Sequence, residues 1–231
     1  MAPIFNVAIL VYTGADILDF CGPLEIYSTI QPPGTQQYFK TTTFAHHDSV
    51  KVGGGALVVK PEASFAEVQA KLDSYDILVI PGGHPEDLTA YTKTEEGKEV
   101  TALIKKFSEL APRKEQGSRV LQTVCTGTLL VGASGILANR TVTTHHMAYE
   151  LLKKVTDEAA GGESNTTVVR KRWVDAGTTD AGVRIVNAGG VSSGLDASLW
   201  VVEQLAGKES ADWTAEIVEF ERRKQEAGWG V

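Results

Sequence analysis

The chain has 231 residues, 42% hydrophobic and 22% charged, with a formal net charge of -7; that is enough for one large core, and the balance excludes a disordered or fibrous chain. The negative charge repels phosphate backbones and anionic lipid, and the basic runs Lys105-Lys106 and Arg170-Lys171-Arg172 are too short to line a nucleic-acid groove. Only Cys21 and Cys125 are present, which suits a reducing compartment, and no stretch approaches the ~18 apolar residues that cross a bilayer. The expectation is a cytoplasmic protein with neither nucleic acid nor membrane as partner.

Along the chain, residues 7–12 form an apolar run without a basic flank or cleavage site, so they read as a first strand rather than a signal. Asp16, Asp19 and Cys21 follow, then Pro23, whose ring interrupts the helical hydrogen bond to the carbonyl of Asp19. The chain is expected to bend there and continue as a helix over 23–29, presenting Asp19 at the end of the first strand. Asp16 competes for that role, and either aspartate also suits a helix cap. In residues 50–59, Gly53-Gly54-Gly55 splits two alternating stretches and predicts a hairpin on a sheet edge. Residues 77–80 are the next buried strand, closed by Pro81-Gly82-Gly83; its glycines let backbone amides approach a substrate, although a plain loop accounts for them equally well.

A helical pattern spans 95–110, and residues 120–124 form a strand that runs directly into Cys125, Thr126 and a helix over 128–137. Further helices are predicted over 148–154 and 195–205, with a strand over 183–186 between them. Trp213, Ile217 and Phe220 then recur at helical spacing, as in a terminal amphipathic helix packed on the core. The alternation of strand and helix, with no repeat or long linker, predicts a single domain over 1–231. Its fold class is α/β, a three-layer sandwich with a mostly parallel central sheet and helices on both faces.

Cys125 carries the functional expectation. A side chain at such a junction stands at the carboxyl edge of the sheet, and amides at a helix start lower a thiol's pKa toward a reactive thiolate. Thr126 can donate a hydroxyl hydrogen, and Asp19 can pass protons. His145, which follows Thr143-Thr144, can pair with the thiol. Cys21 reads as a core residue. His46-His47, His84 and His145-His146 show no metal-ligand spacing, so no metal is expected.

Taken in order, the segments LDFCGP, IPGG, VCTGTLLVGASGIL, VTTHHMAYELL and NAGGVSSGLDASLWVVEQL resemble the ThiJ/PfpI superfamily over nearly the whole chain. The resemblance implies a flavodoxin-like, class I glutamine amidotransferase-like fold, a homodimer, and a cysteine at a strained strand-to-helix elbow. LDF-x-GP and VCTG look most like the isonitrile hydratase branch, where an aspartate at the position of Asp19 supports the cysteine and other branches place a glutamate. Carried over, it makes Cys125 the nucleophile, Asp19 the acid/base, Thr126 a polar neighbour, and the Gly82-Gly83 turn an oxyanion site through the Gly83 amide. Val191, in Gly189-Gly190-Val191, would lie beside the pocket, and His145 occupies a position whose role varies. Pro85, where many members have a further glycine, and an insertion at 114–118 depart from the pattern.

The implied activity is hydration of an isocyanide to an N-substituted formamide without metal or organic cofactor. Two alternatives stand beside it: glyoxalase-like conversion of methylglyoxal to lactate, and a cysteine redox or ligand sensor. Similar domains open some AraC-type regulators, but only 24 residues follow Gly207, too few for a helix-turn-helix module.

Overall fold

A computed structural model describes residues 4–230. In chain order, β1 (Phe5–Leu10) leads to α1 (Ile17–Ser28), β2 (Phe39–Ala45) and a hairpin of β3 (Val50–Val52) and β4 (Leu57–Val59). A short β5 (Ala63–Ser64), α2 (Phe65–Ala70), β6 (Ile77–Ile80), α3 (Pro85–Tyr91), α4 (Glu95–Ser108), β7 (Arg119–Thr123) and α5 (Gly127–Ala133) follow. The remainder comprises β8 (Thr141–Val142), α6 (Tyr149–Ala160), β9 (Thr167–Val168), β10 (Trp173–Thr178), β11 (Val183–Ala188), α7 (Ser193–Ala206) and α8 (Lys208–Ile217).

Seven strands form the central sheet in the order β10-β11-β7-β6-β1-β2-β5, and every pairing is parallel except β10 with β11. Every residue of β6 and β7 is buried, as strands covered on both faces must be. One helical layer joins α1, α7 and α8, while α5 packs with α4 and α6. From β1 the chain runs outward to β2 on one side and to β6, β7 and β11 on the other, so connections diverge at the carboxyl ends of β1 and β6. Such a divergence leaves a crevice.

The flush ends of three strands set up the site. Ile80 of β6 is level with Thr123 of β7, and Thr123 with Asn187 of β11. The segments leaving those strands therefore emerge side by side, and the Cys125 amide donates to the Gly189 carbonyl at 2.9 Å.

The structure differs from the sequence expectation in three places. Pro23 does not break α1, which runs unbroken from Ile17 to Ser28 with Asp16 as its N-cap, Oδ1 accepting from the Leu18 amide at 3.3 Å. Burial of Phe20, Ile26 and Tyr27 offsets the one hydrogen bond the ring removes. Strands β2 and β10 were not legible as apolar runs: β2, FKTTTFA, carries three threonines that suit a pleated surface by shape rather than hydrophobicity. At the end, α8 stops at Ile217, which is 52% exposed, and buries Ser210, Ala211 and Thr214, while Phe220 packs partly buried against the core beyond the helix. Small side chains let that helix lie close to its neighbours, and Trp213 Nε1 donates to the Ile30 carbonyl at 3.0 Å.

Gly127 opens α5 where no side chain fits: a Cβ there would stand 2.3 Å from the Ile80 carbonyl oxygen and 2.8 Å from Pro81 carbonyl atoms, all backbone. Gly127→Ala is expected to lower stability by more than about 2 kcal/mol. Urea unfolding followed by circular dichroism checks this; an unchanged midpoint would mean that the turn after β6 yields.

Candidate active site

Cys125 sits between β7 and α5 with φ 56, a left-handed conformation that non-glycine residues adopt rarely. Several groups hold it there. Its amide bonds to Gly189, the Gly127 amide closes the turn onto the Val124 carbonyl at 2.9 Å, and the buried Thr144 hydroxyl donates to the Cys125 carbonyl at 2.8 Å. A second strained residue lies opposite: Val191, β-branched, has φ 27. The backbone amides of Val191 and Thr126 stand close enough to the sulfur to pull the thiol pKa down. Two strained backbones thus converge on one atom, the pattern expected where structure holds a reactive group.

Asp19 projects from the first turn of α1 and is fully buried. Its Oδ2 accepts from the Gly82 amide at 2.9 Å, whereas Oδ1 has no partner of ordinary hydrogen-bond geometry. The Cys125 thiol nevertheless lies close enough to pull the carboxyl pKa down. Burial, and then the charge of Asp16, act more strongly in the other direction and raise Asp19 to about 8. The thiol is pushed up to about 12, first by burial and then by the Asp19 charge, against the opposing amides of Val191 and Thr126. At neutral pH the resting pair therefore holds both protons. This corrects the sequence expectation of a thiolate favoured by a helix start: the amides are in place, but removal from water outweighs them.

Gly82 and Gly83 occupy the expected turn in a different capacity. The Gly82 amide is engaged by Asp19, and the Gly83 amide donates to Thr126 Oγ1 at 2.9 Å while the Thr126 hydroxyl returns a bond to the Gly83 carbonyl at 2.6 Å. Neither amide is free for substrate. The donors on the sulfur side are those of Thr126 and Val191 instead. A Cβ on Gly82 would lie 2.5 Å from Thr126 Oγ1 and 2.8 Å from Asp19 Oδ2, so the absence of a side chain is what lets carboxyl, hydroxyl and turn close on one another.

Cys125 and Thr126 open onto a cleft of about 630 Å³ that Val191, Gly83 and His145 also line, whereas Asp19, fully buried, is not part of its lining. Asp16, Glu86 and Asp87 also line it, so it is acidic. The β3–β4 hairpin reaches this cleft through Gly53 and Gly54 rather than only decorating an edge, and the Gly53 amide donates to the Ala15 carbonyl at 2.8 Å. His145 stands at the rim with Nδ1 accepting from the Met147 amide at 3.3 Å, and it makes no hydrogen bond to Cys125. Burial, followed by His146, holds its pKa below the ordinary value, so the ring is neutral at pH 7.

Sequence reasoning missed Thr144 and Tyr12. The buried Tyr12 hydroxyl donates to the Pro81 carbonyl at 3.0 Å and steadies the turn that carries Gly82. Nothing in its surroundings along the chain signals that role, because Pro81 is 69 positions away. Cys21 is half-buried against the core. Among the described residues no three His, Cys, Asp or Glu side chains form a metal-binding group, and no helix is long and apolar enough to cross a membrane.

Comparison with known proteins matches residues 6–188 to the DJ-1/PfpI family. An isonitrile hydratase of Pseudomonas putida is 23% identical over 207 residues, covering 89% of this chain and 74% of its own. A ThiJ/PfpI family protein from Pseudomonas syringae superposes with a TM-score of 0.70 at 22% identity, covering 96% of this chain and 78% of that one. DJ-1beta of Drosophila melanogaster superposes with a TM-score of 0.70 at 18% identity, covering 96% and 100%.

The Asp19 carboxyl keeps its proton in the folded state to about pH 8, far above its ordinary value of 3.8. Between those two values the unfolded chain binds fewer protons than the folded one, so this group makes stability fall as pH rises. Asp19→Asn removes that dependence, and between pH 4 and about 8 the variant is expected to gain stability relative to the native protein, read by urea unfolding at both ends. The same variant should titrate its Cys125 thiol below about 12, yet above an ordinary thiol, because burial remains. Alkylation rate against pH measures it.

Proposed function

Because the chain belongs to the DJ-1/PfpI family, we propose that it is a cysteine-dependent hydratase that adds water to an isocyanide and releases an N-substituted formamide. The observation that carries this reading is the buried Asp19 carboxyl beside the Cys125 thiol, which itself lines an open cleft, with removal from water holding both groups above their ordinary pKa values. An isocyanide carbon must receive both a nucleophile and a proton. A carboxyl group near pKa 8 supplies the proton at neutral pH, where an ordinary aspartate would already have lost it.

In the first step the Cys125 sulfur bonds to the terminal carbon of the isocyanide while Asp19 protonates that same carbon. The thiol's hydrogen passes to the Asp19 carboxylate, which restores the acid and leaves a thioimidate. Developing negative charge on sulfur is met by the amides of Val191 and Thr126. Water then adds to the thioimidate carbon, one of its hydrogens going to nitrogen and the other, through Asp19, to the departing sulfur. The C–S bond breaks, the formamide leaves, and thiol and carboxylic acid are regenerated. Asp19 thus acts in turn as acid and base, and the isonitrile hydratase among the relatives matches the chemistry.

A glyoxalase-like reading uses the same sulfur to form a hemithioacetal with methylglyoxal, and the DJ-1-type structural neighbours fit it. It needs a base to move a proton between carbons. Neutral His145 on the cleft rim is the available group. A low-pKa redox sensor is disfavoured by a thiol that is 6% exposed and raised in pKa.

Formamide production from a panel of isocyanides, with lactate production from methylglyoxal assayed beside it, tests the assignment. Cys125→Ala should abolish turnover, and Asp19→Asn should lower kcat by at least about 100-fold. The native rate should decline above about pH 8 as Asp19 loses its proton. Full activity in Cys125→Ala sinks the reading, and lactate without formamide replaces it with the alternative.

A further inference from the structure

Beyond His145 lies a second cavity of about 300 Å³. His145 and Val191 line both it and the catalytic cleft, so the two spaces are neighbours. Their charges are opposite. The cleft is lined by three carboxylates and no lysine or arginine. The second cavity is lined by Lys171 and Arg172, together with the imidazoles of His145 and His146, and by no carboxylate, in a chain whose net charge is -7.

Two polar groups there, on largely buried residues, have no protein partner. Ser193 is 3% exposed and its Oγ makes no hydrogen bond among the described residues, and neither does Arg172 Nη1, on a residue 7% exposed. Neither atom is sealed off by protein. The other nitrogens of Arg172 are committed, Nε to Asp196 Oδ2 at 2.8 Å and Nη2 to Ser192 Oγ at 3.1 Å. Asp196 answers the charge of Arg172 and also accepts from the Arg223 amide at 2.6 Å. Lys171 has only Glu226, 3.9 Å away and 72% exposed, a pairing worth little in water. The cavity therefore offers one loosely paired cation and two open donors. Trp229 and Tyr149 add flat walls, with the Trp229 ring 5.7 Å from that of His146.

We infer that this cavity is a substrate subsite that binds a single carboxylate, so that the preferred substrate carries a carboxylate on the substituent remote from its reacting carbon. One available positive charge matches a singly charged carboxylate better than a phosphate dianion. Ser193 Oγ and Arg172 Nη1 donate to its two oxygens, and Lys171 supplies the charge. The acidic cleft meanwhile repels that end of the molecule from the sulfur, which orients the substrate with its neutral terminus toward Cys125. The inference rests on the hydratase reading for the identity of the reacting group but not for the carboxylate.

Two measurements separate the two claims. Calorimetry of Cys125→Ala protein with benzoate and with benzamide tests the cavity without any reaction. Benzoate is expected to bind at least 10-fold more tightly, and Lys171→Met and Ser193→Ala should each reduce that preference at least 5-fold. Steady-state hydration of a carboxylate-bearing isocyanide and its methyl ester tests the subsite in turnover: the acid should have at least a 10-fold higher kcat/KM, carried by KM, and Lys171→Met should collapse the ratio toward one. Equal binding of benzoate and benzamide, or equal kcat/KM for acid and ester, overturns the subsite. Preferential benzoate binding in a protein that hydrates neither isocyanide leaves the subsite standing and removes the hydratase.

Discussion

A carboxyl group and a thiol, both taken out of water and placed against each other at the rim of a parallel sheet, impose the main constraint on this molecule. Asp19 is wholly buried and Cys125 nearly so, and each disfavours ionisation of the other. Such a pair is costly to assemble, because a buried polar group stabilises nothing unless it is partnered. Much of the surrounding architecture answers that cost. The Gly82 amide takes one carboxyl oxygen, the amides of Val191 and Thr126 oppose the rise of the thiol pKa, and the Thr126 hydroxyl bonds twice to Gly83 to bring the turn after β6 against the elbow after β7.

The result differs from the usual account of a reactive cysteine as a thiol acidified by its surroundings. Here the chemistry would start from two protonated groups, and the nucleophile would form only as its proton is taken up in the reaction. An environment of that kind protects the sulfur from adventitious reagents while leaving it available to a substrate that itself accepts a proton. Backbone strain at Cys125 and Val191 serves the same end by fixing the sulfur between two amides.

Charge is segregated around this pair. Acidic side chains line the cleft in front of the sulfur, whereas basic ones line the smaller cavity behind His145. The neutral imidazole stands on the boundary, with its ring against Gly190, where a Cβ would come within 2.7 Å of it. The placement of that ring thus depends on the absence of a side chain at position 190.

Much of this was legible along the chain. The apolar runs ending at Ile80 and Val124, the glycines after Pro81, and the cysteine entering a helix identify a parallel sheet with a cysteine at the strand-to-helix turn, because strand period and turn chemistry are local properties. Asp19 was also recoverable, from its place in LDFCGP. Strand β2 was not, since three threonines disguise its burial, and neither was the continuity of α1 through Pro23, because packing of distant residues decides whether one missing hydrogen bond matters. Thr144, Tyr12, the reach of the Gly53-Gly54 turn and the ionisation of the central pair lay outside local reading altogether. A pKa depends on how much water is excluded and which charges stand nearby, and those are set by segments tens of residues apart that meet only when the sheet forms. The sequence by itself determined that a thiol enters a helix at a strand end and that a carboxyl follows the first strand; the tertiary structure decided that both are held above their ordinary pKa values, because only folding removes them from water together.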